Sequence, residues 1–104
     1  MIVNIGSLGG TAGTPKFPGL AAYTVSKYGL SGFTAALAEE ARPLGASVLC
    51  VAPGAVDTEM LRRAAPGLRA GATPADIARL VAAVSEPAAA SLLSGATLPL
   101  ETNR

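Results

Sequence analysis

Ser47-Val48-Leu49-Cys50-Val51-Ala52 is an unbroken run, apolar after its first residue, that stops at Pro53-Gly54. A short, β-branched run bounded by a Pro-Gly turn reads as a strand buried on both faces, as parallel strands are. Cys50 lies inside it and is read as a core residue. A strand of the same type precedes it, Ile2-Val3-Asn4-Ile5, ending at Gly6-Ser7. A third, Gly95 to Leu100, comes before a tail of Glu101-Thr102-Asn103-Arg104.

Helices are predicted between the strands. Ala21 to Ala41 is rich in helix formers, with Leu30, Phe33 and Leu37 as an apolar stripe. Pro43 and Gly45 end it. Gly29 and Gly32 each cost helix stability, about 1 kcal/mol relative to Ala. They are either simply tolerated or make room for a close helix or cofactor. Thr58 to Ala65 predicts a short helix with Met60 and Leu61 apolar and Arg62 and Arg63 exposed. Thr73-Pro74-Ala75-Asp76 is a helix start, with Thr as cap, Pro in the first turn and an acid three residues on. Ile77, Leu80, Val81 and Val84 form the apolar face, and Pro87 is expected to end this helix. The order β-α-β-α-β predicts an α/β fold of parallel strands joined by crossovers. With 104 residues the chain holds one small domain, 1–104.

Composition excludes much chemistry. Half the residues are hydrophobic, 14% are charged, and the net charge is +1 without a run of Lys or Arg. Nothing there attracts nucleic acid or an anionic membrane surface. No apolar run reaches the roughly 18 residues of a membrane span, and Met1-Ile2-Val3-Asn4-Ile5 is not a secretory signal. A cytoplasmic protein is expected. One Cys and no His exclude an internal disulfide, a zinc site, a Ser-His-Asp triad and a Cys-His pair within one chain. No metal ligands are expected.

Two stretches invite a functional reading. Gly6 to Gly13 is rich in glycine, but Pro15 and Pro18 follow where a phosphate-binding loop needs a helix to open. Leu8 to Leu20 is therefore expected to be loop, the mobile wall of a site. Tyr23-Thr24-Val25-Ser26-Lys27 enters the long helix, and a spacing of four puts Tyr23 and Lys27 on one face. An ammonium held near a phenol favours the phenolate. The same spacing also occurs as an ordinary surface pair, so the flanking segments carry the argument. Ser7 and Pro53-Gly54 both follow strand ends, the edge of an open α/β sheet where ligands sit.

Ser7, Tyr23-x-x-x-Lys27 and Pro53-Gly54-Ala55-Val56-Asp57-Thr58, in that order, resemble the short-chain dehydrogenase/reductase family over nearly the whole chain. The resemblance implies an NAD(P)-dependent oxidoreductase that moves hydride between nicotinamide and a small-molecule carbonyl or alcohol substrate. Carried over by position, Tyr23 is the proton donor or acceptor, Lys27 holds the nicotinamide ribose and supports the phenolate, and Ser7 bonds the substrate oxygen. Pro53, Gly54, Val56 and Thr58 are similar to the segment that backs the nicotinamide ring. Phe17, Pro18, Met60 and Leu61 fall where such enzymes line the substrate pocket, with plain loop and helix packing as the alternative. The family often pairs through the helix that carries Tyr23, which implies a homo-oligomer with Gly29, Gly32 and Phe33 at the contact.

The family's glycine-rich cofactor loop, the residue that separates NAD from NADP, and an Asn of its proton relay all precede the strand at Ile2. The resemblance therefore implies the C-terminal, catalytic half of a Rossmann-like doubly wound parallel sheet, with the N-terminal dinucleotide-binding half absent. The first strand is then expected to show an unpaired edge and an exposed apolar flank. Activity is expected of the complete enzyme. The alternative is an inactive remnant that acts at most as a protein-interaction module. The ordinary crossover hand puts both helices on one sheet face, whereas the family has helices on both, and the residues leave that open.

Overall fold

A computed structural model describes residues 1–104. Three strands, β1 (Ile2–Ile5), β2 (Val48–Pro53) and β3 (Thr97–Leu100), form one parallel sheet in the order β1-β2-β3. The central run predicted from Ser47 to Ala52 is shifted by one residue, and Val48 to Ala52 are wholly buried. Ile2 pairs with Val48 and Asn4 with Cys50 on one side, while Cys50 pairs with Thr97 on the other. β1 pairs only with β2, and Ile2 and Ile5 are nearly half exposed, as expected of an edge.

Helix α1 (Ala21–Ala41) has the predicted bounds. A 3-10 turn from Arg42 to Leu44 then leads to Gly45, whose φ of 69° is left-handed and suits glycine. The predicted stripe needs correction. The residues that α1 buries are Thr34, Ala38 and Ala41, with Leu37 partly packed beside them, whereas Phe33 is 55% exposed. Small side chains let the helix backbone come close to Val48, and Thr34 accepts a hydrogen bond from the Asn4 amide at 3.0 Å.

Thr58 caps α2 (Glu59–Ala64) by accepting from the Leu61 N–H at 3.1 Å. The capping box of α3 (Pro74–Val84) forms in both directions between Thr73 and Asp76. α3 ends at Val84, before Pro87 as expected, but Pro87 has a second role. It opens a further helix, α4 (Pro87–Leu93), because the Glu86 carboxylate accepts from the Ala88 and Ala89 N–H groups at 3.2 and 3.0 Å. Proline lacks an N–H, and the first turn of a helix does not need one.

Successive residues of β2 point to opposite faces. Val48 meets α1, whereas Leu49 and Val51 meet Leu80, Val81 and Val84 of α3 and Leu93 of α4. The helices therefore cover both faces. With strands in the order β1-β2-β3, that requires the two crossovers to have opposite hands, so one departs from the right-handed rule.

Candidate active site

The polypeptide turns sharply where β1 ends. Ser7 caps a 3-10 turn from Leu8 to Gly10, its hydroxyl accepting from the Gly9 N–H at 3.3 Å. Gly10 lies directly on α1: a Cβ there would stand 2.3 Å from the Lys27 Cβ and 2.8 Å from the Lys27 carbonyl carbon. Only glycine permits this approach, which joins the Ser7 turn to the helix at Lys27.

The Lys27 ammonium lies 5.7 Å from the centroid of the Tyr23 ring and donates to the Ile5 carbonyl at 3.3 Å. One cation thus links the end of β1 to the phenol one turn along the helix. Tyr23 is 39% exposed, so its ring borders open space. The structure brings β1's end, the Ser7 turn, Lys27 and Tyr23 into one neighbourhood at the carboxyl edge of the sheet.

The loop from Thr11 to Leu20 is tied down near the same place. The Thr14 hydroxyl lies 2.6 and 2.7 Å from the Leu8 and Thr11 carbonyl oxygens, which share its one proton, and Lys16 donates to the Thr11 carbonyl at 2.9 Å. The Lys16 ammonium also sits 5.2 Å from the Tyr28 ring of α1. Phe17 and Pro18 stand exposed beyond these ties.

Pro53 and Gly54 follow the buried part of β2 on the same edge. Gly54 N–H donates to the Leu100 carbonyl at 3.0 Å, Ala55 N–H to the Asn103 side-chain oxygen at 2.8 Å, and Asp57 N–H to the Ala72 carbonyl at 2.9 Å. Val56 pairs with Ala72 as a single parallel bridge, while its own N–H donates to no other protein group. The Thr58 hydroxyl serves α2 as its cap.

The residues expected to line a substrate pocket do not share one hollow. A concavity of about 560 Å³ is lined by Leu61 with Asp57, Arg62, Arg69 and Arg104, among others, but not by Phe17, Pro18, Met60, Ser7, Tyr23 or Lys27. Met60 is 70% exposed. The phenol of Tyr23 and the hydroxyl of Ser7 are the better candidates for a chemical site than the hollow, because they carry groups able to move a proton.

The family model for short chain dehydrogenase matches residues 1–68. The chain belongs to the short-chain dehydrogenase family. Among its family relatives, the 3-oxoacyl-(acyl-carrier-protein) reductase FabG of Vibrio cholerae is 38% identical over 108 residues, covering 93% of this chain and 42% of the relative. The acetoin dehydrogenase YohF from Salmonella typhimurium superposes with a TM-score of 0.73 at 33% identity, covering 95% of this chain and 42% of that one. A short chain dehydrogenase from Burkholderia cenocepacia, solved in complex with NADP, superposes with a TM-score of 0.79 at 31% identity, covering 95% and 43%. The chain thus spans less than half the length of these dehydrogenases. No helix is long and apolar enough to cross a membrane.

Two positions at this candidate site went unread in the sequence. Gly10 was one glycine among several in a loop. Asn103 stood in a tail with no pattern to mark it.

Proposed function

We propose that this chain carries the catalytic half of an NAD(P)-dependent oxidoreductase that interconverts a carbonyl and an alcohol on a small molecule. The observation that carries the reading is the Lys27 ammonium, placed beside the Tyr23 ring and bonded to the carbonyl at the end of β1. In the reducing direction Tyr23 gives its phenolic proton to the substrate oxygen, and Lys27 stabilises the phenolate left behind. Ser7 donates its hydroxyl to the same oxygen. A well-placed donor of that kind is worth roughly 3 kcal/mol to the transition state.

Nicotinamide supplies hydride chemistry when bound. Lys27, Pro53, Gly54, Val56 and Thr58 are the residues that would hold its reactive end, and the free Val56 N–H suits a carboxamide oxygen. Phe17, Pro18, Met60 and Leu61 would border the substrate. NAD and NADP both satisfy this end of the site. Turnover belongs to the complete enzyme, in which an N-terminal half grips the rest of the dinucleotide. Pairing of two copies through α1 is part of the proposal: Val25 and Phe33 are exposed there, and a Cβ at Gly29 or Gly32 would meet nothing within 4 Å. A cytoplasmic location goes with this reading.

Tyr23→Phe tests it. In the complete enzyme the substitution should lower turnover by at least about a thousandfold, roughly 4 kcal/mol, with unchanged thermal melting. Wild-type turnover would show that another group carries the proton.

The open edge of β1 favours a second reading, a catalytically silent remnant that binds a protein partner through that edge. Titration of this chain with NADH and NADPH separates the two, since tight saturable binding argues against the remnant.

A further inference from the structure

The C-terminal tail does more than trail from β3. It bonds to two loops that are far apart in sequence. Ala70 and Asn103 form an antiparallel bridge, Gly71 N–H donates to the Thr102 carbonyl at 2.6 Å, and Arg104 N–H to the Arg69 carbonyl at 2.9 Å. From the other side, the Asn103 side-chain oxygen accepts from the Ala55 N–H at 2.8 Å.

Gly54 is shaped for this contact. A Cβ at that position would stand 2.6 Å from the Asn103 oxygen and 3.1 Å from the Thr102 hydroxyl oxygen. That hydroxyl is buried without a hydrogen-bond partner, so the tail is seated here at a cost in unmade bonding. Other contacts must offset that cost. The Asn103 bond to Ala55 is one of them.

The consequence appears in three consecutive amides. Ala55 N–H is taken by Asn103 and Asp57 N–H by Ala72, while the Val56 N–H between them meets no acceptor in the protein. Two fixed neighbours hold the middle peptide unit in one orientation.

We propose that Asn103 is a positioning residue: its side-chain oxygen clamps the Gly54–Ala55 peptide, and so fixes the Ala55–Val56 peptide that follows, so that the Val56 N–H is presented as a fixed donor to a ligand's carbonyl oxygen. The ligand side of this statement rests on the dehydrogenase reading, in which that oxygen belongs to the nicotinamide carboxamide. The clamp itself rests only on the contacts above. Asn103 touches no reacting atom and acts through the loop.

Amide hydrogen exchange on the 104-residue chain, with Asn103→Ala and Asn103→Asp, tests the clamp. Ala removes the acceptor, and Asp keeps a carboxylate oxygen in its place. In Asn103→Ala the Ala55 amide should exchange about tenfold faster, the effect of losing one ordinary hydrogen bond, while the amides of Cys50 and Val51 keep their protection. Asn103→Asp should restore the slow rate at Ala55. Titration with reduced nicotinamide mononucleotide should shift the Val56 amide resonance in the wild type and in Asn103→Asp, and shift it less in Asn103→Ala.

Three results would overturn the clamp: an unchanged Ala55 rate in Asn103→Ala, no rescue by Asp, or a loss of protection throughout β2. The last would mean that Asn103 holds the fold and not the loop. The two readings fail separately. If Ala55 behaves as expected but nicotinamide mononucleotide leaves Val56 unmoved in the wild type, the reading of the Val56 N–H as the carboxamide donor fails and the clamp stands. If nicotinamide mononucleotide shifts Val56 equally in all three proteins, the clamp has no part in presenting that donor.

Discussion

On one face of β2, α1 lies against Val48 through Ala38 and Ala41, with Thr34 bonded to Asn4 of β1; on the other, α3 and α4 cover Leu49 and Val51 with Leu80, Val81, Val84 and Leu93. Large aliphatic side chains hold the second pair of layers apart and fill the gap between them. Small ones let α1 sit close, and the same closeness brings Gly10 onto Lys27. The candidate chemistry lies on the closely packed side. There, backbone contact sets positions, and adding a methyl group should do more harm than removing one. On the aliphatic side the reverse should hold.

Leu49→Ala probes the aliphatic face and should have the largest effect. Leu49 is wholly buried, and its truncation should cost about 3 kcal/mol in urea unfolding. A cost under about 1 kcal/mol would mean that α3 and α4 settle into the gap, and the contrast between the faces would weaken.

Gly10→Ala probes the other side. With the Lys27 Cβ and backbone in the way, the added methyl should cost about 2 kcal/mol and push the Ser7 turn off the helix. Loss of the slow exchange of the Gly10 amide, which donates to the Ser7 carbonyl at 2.9 Å, would report that displacement. A neutral result would show that the approach of turn to helix is not tight.

Gly29→Ala sharpens the same comparison with the opposite sign. Its Cβ would meet nothing, so the helix should gain up to about 1 kcal/mol in thermal unfolding of the dilute chain. A loss instead, together with a change in sedimentation, would point to a second copy packed on that face.

Acid should act least, through two carboxylates on the aliphatic side. The Thr73 backbone N–H, and then its hydroxyl, hold Asp76 below its ordinary 3.8. The Ala89 and Ala88 N–H groups hold Glu86 below 4.5. Both carboxylates favour the folded state fully above those ordinary values, and the contribution disappears as pH falls through the lower folded-state values. Thermal melts should show a small drop across that window, reduced in Glu86→Gln. A flat profile would show that the caps add nothing to α3 and α4.

Much of the fold was legible because it depends on local pattern. The buried run at Val48 to Ala52, the bounds of α1 and the capping box at Thr73 each need only a few neighbouring residues. The helix that opens at Pro87 was missed because a proline serves both to end a helix and to begin one. The acid at Glu86 and the alanines after Pro87 were the available signal for a start. Phe33 was misread because hydrophobicity alone marks it as buried, whereas the closeness of α1 to the sheet favours Thr34, Ala38 and Ala41.

The sequence by itself determined the strands, the helices and the Tyr23–Lys27 spacing, all of which arise within about one turn or one strand of chain. Only the tertiary structure decided that the helices lie on opposite faces, that the Lys27 ammonium reaches the Ile5 carbonyl, and that Asn103 holds Ala55. Those contacts join residues 22 and 48 positions apart. No local periodicity encodes such a distance, because it depends on how the sheet stacks the segments between.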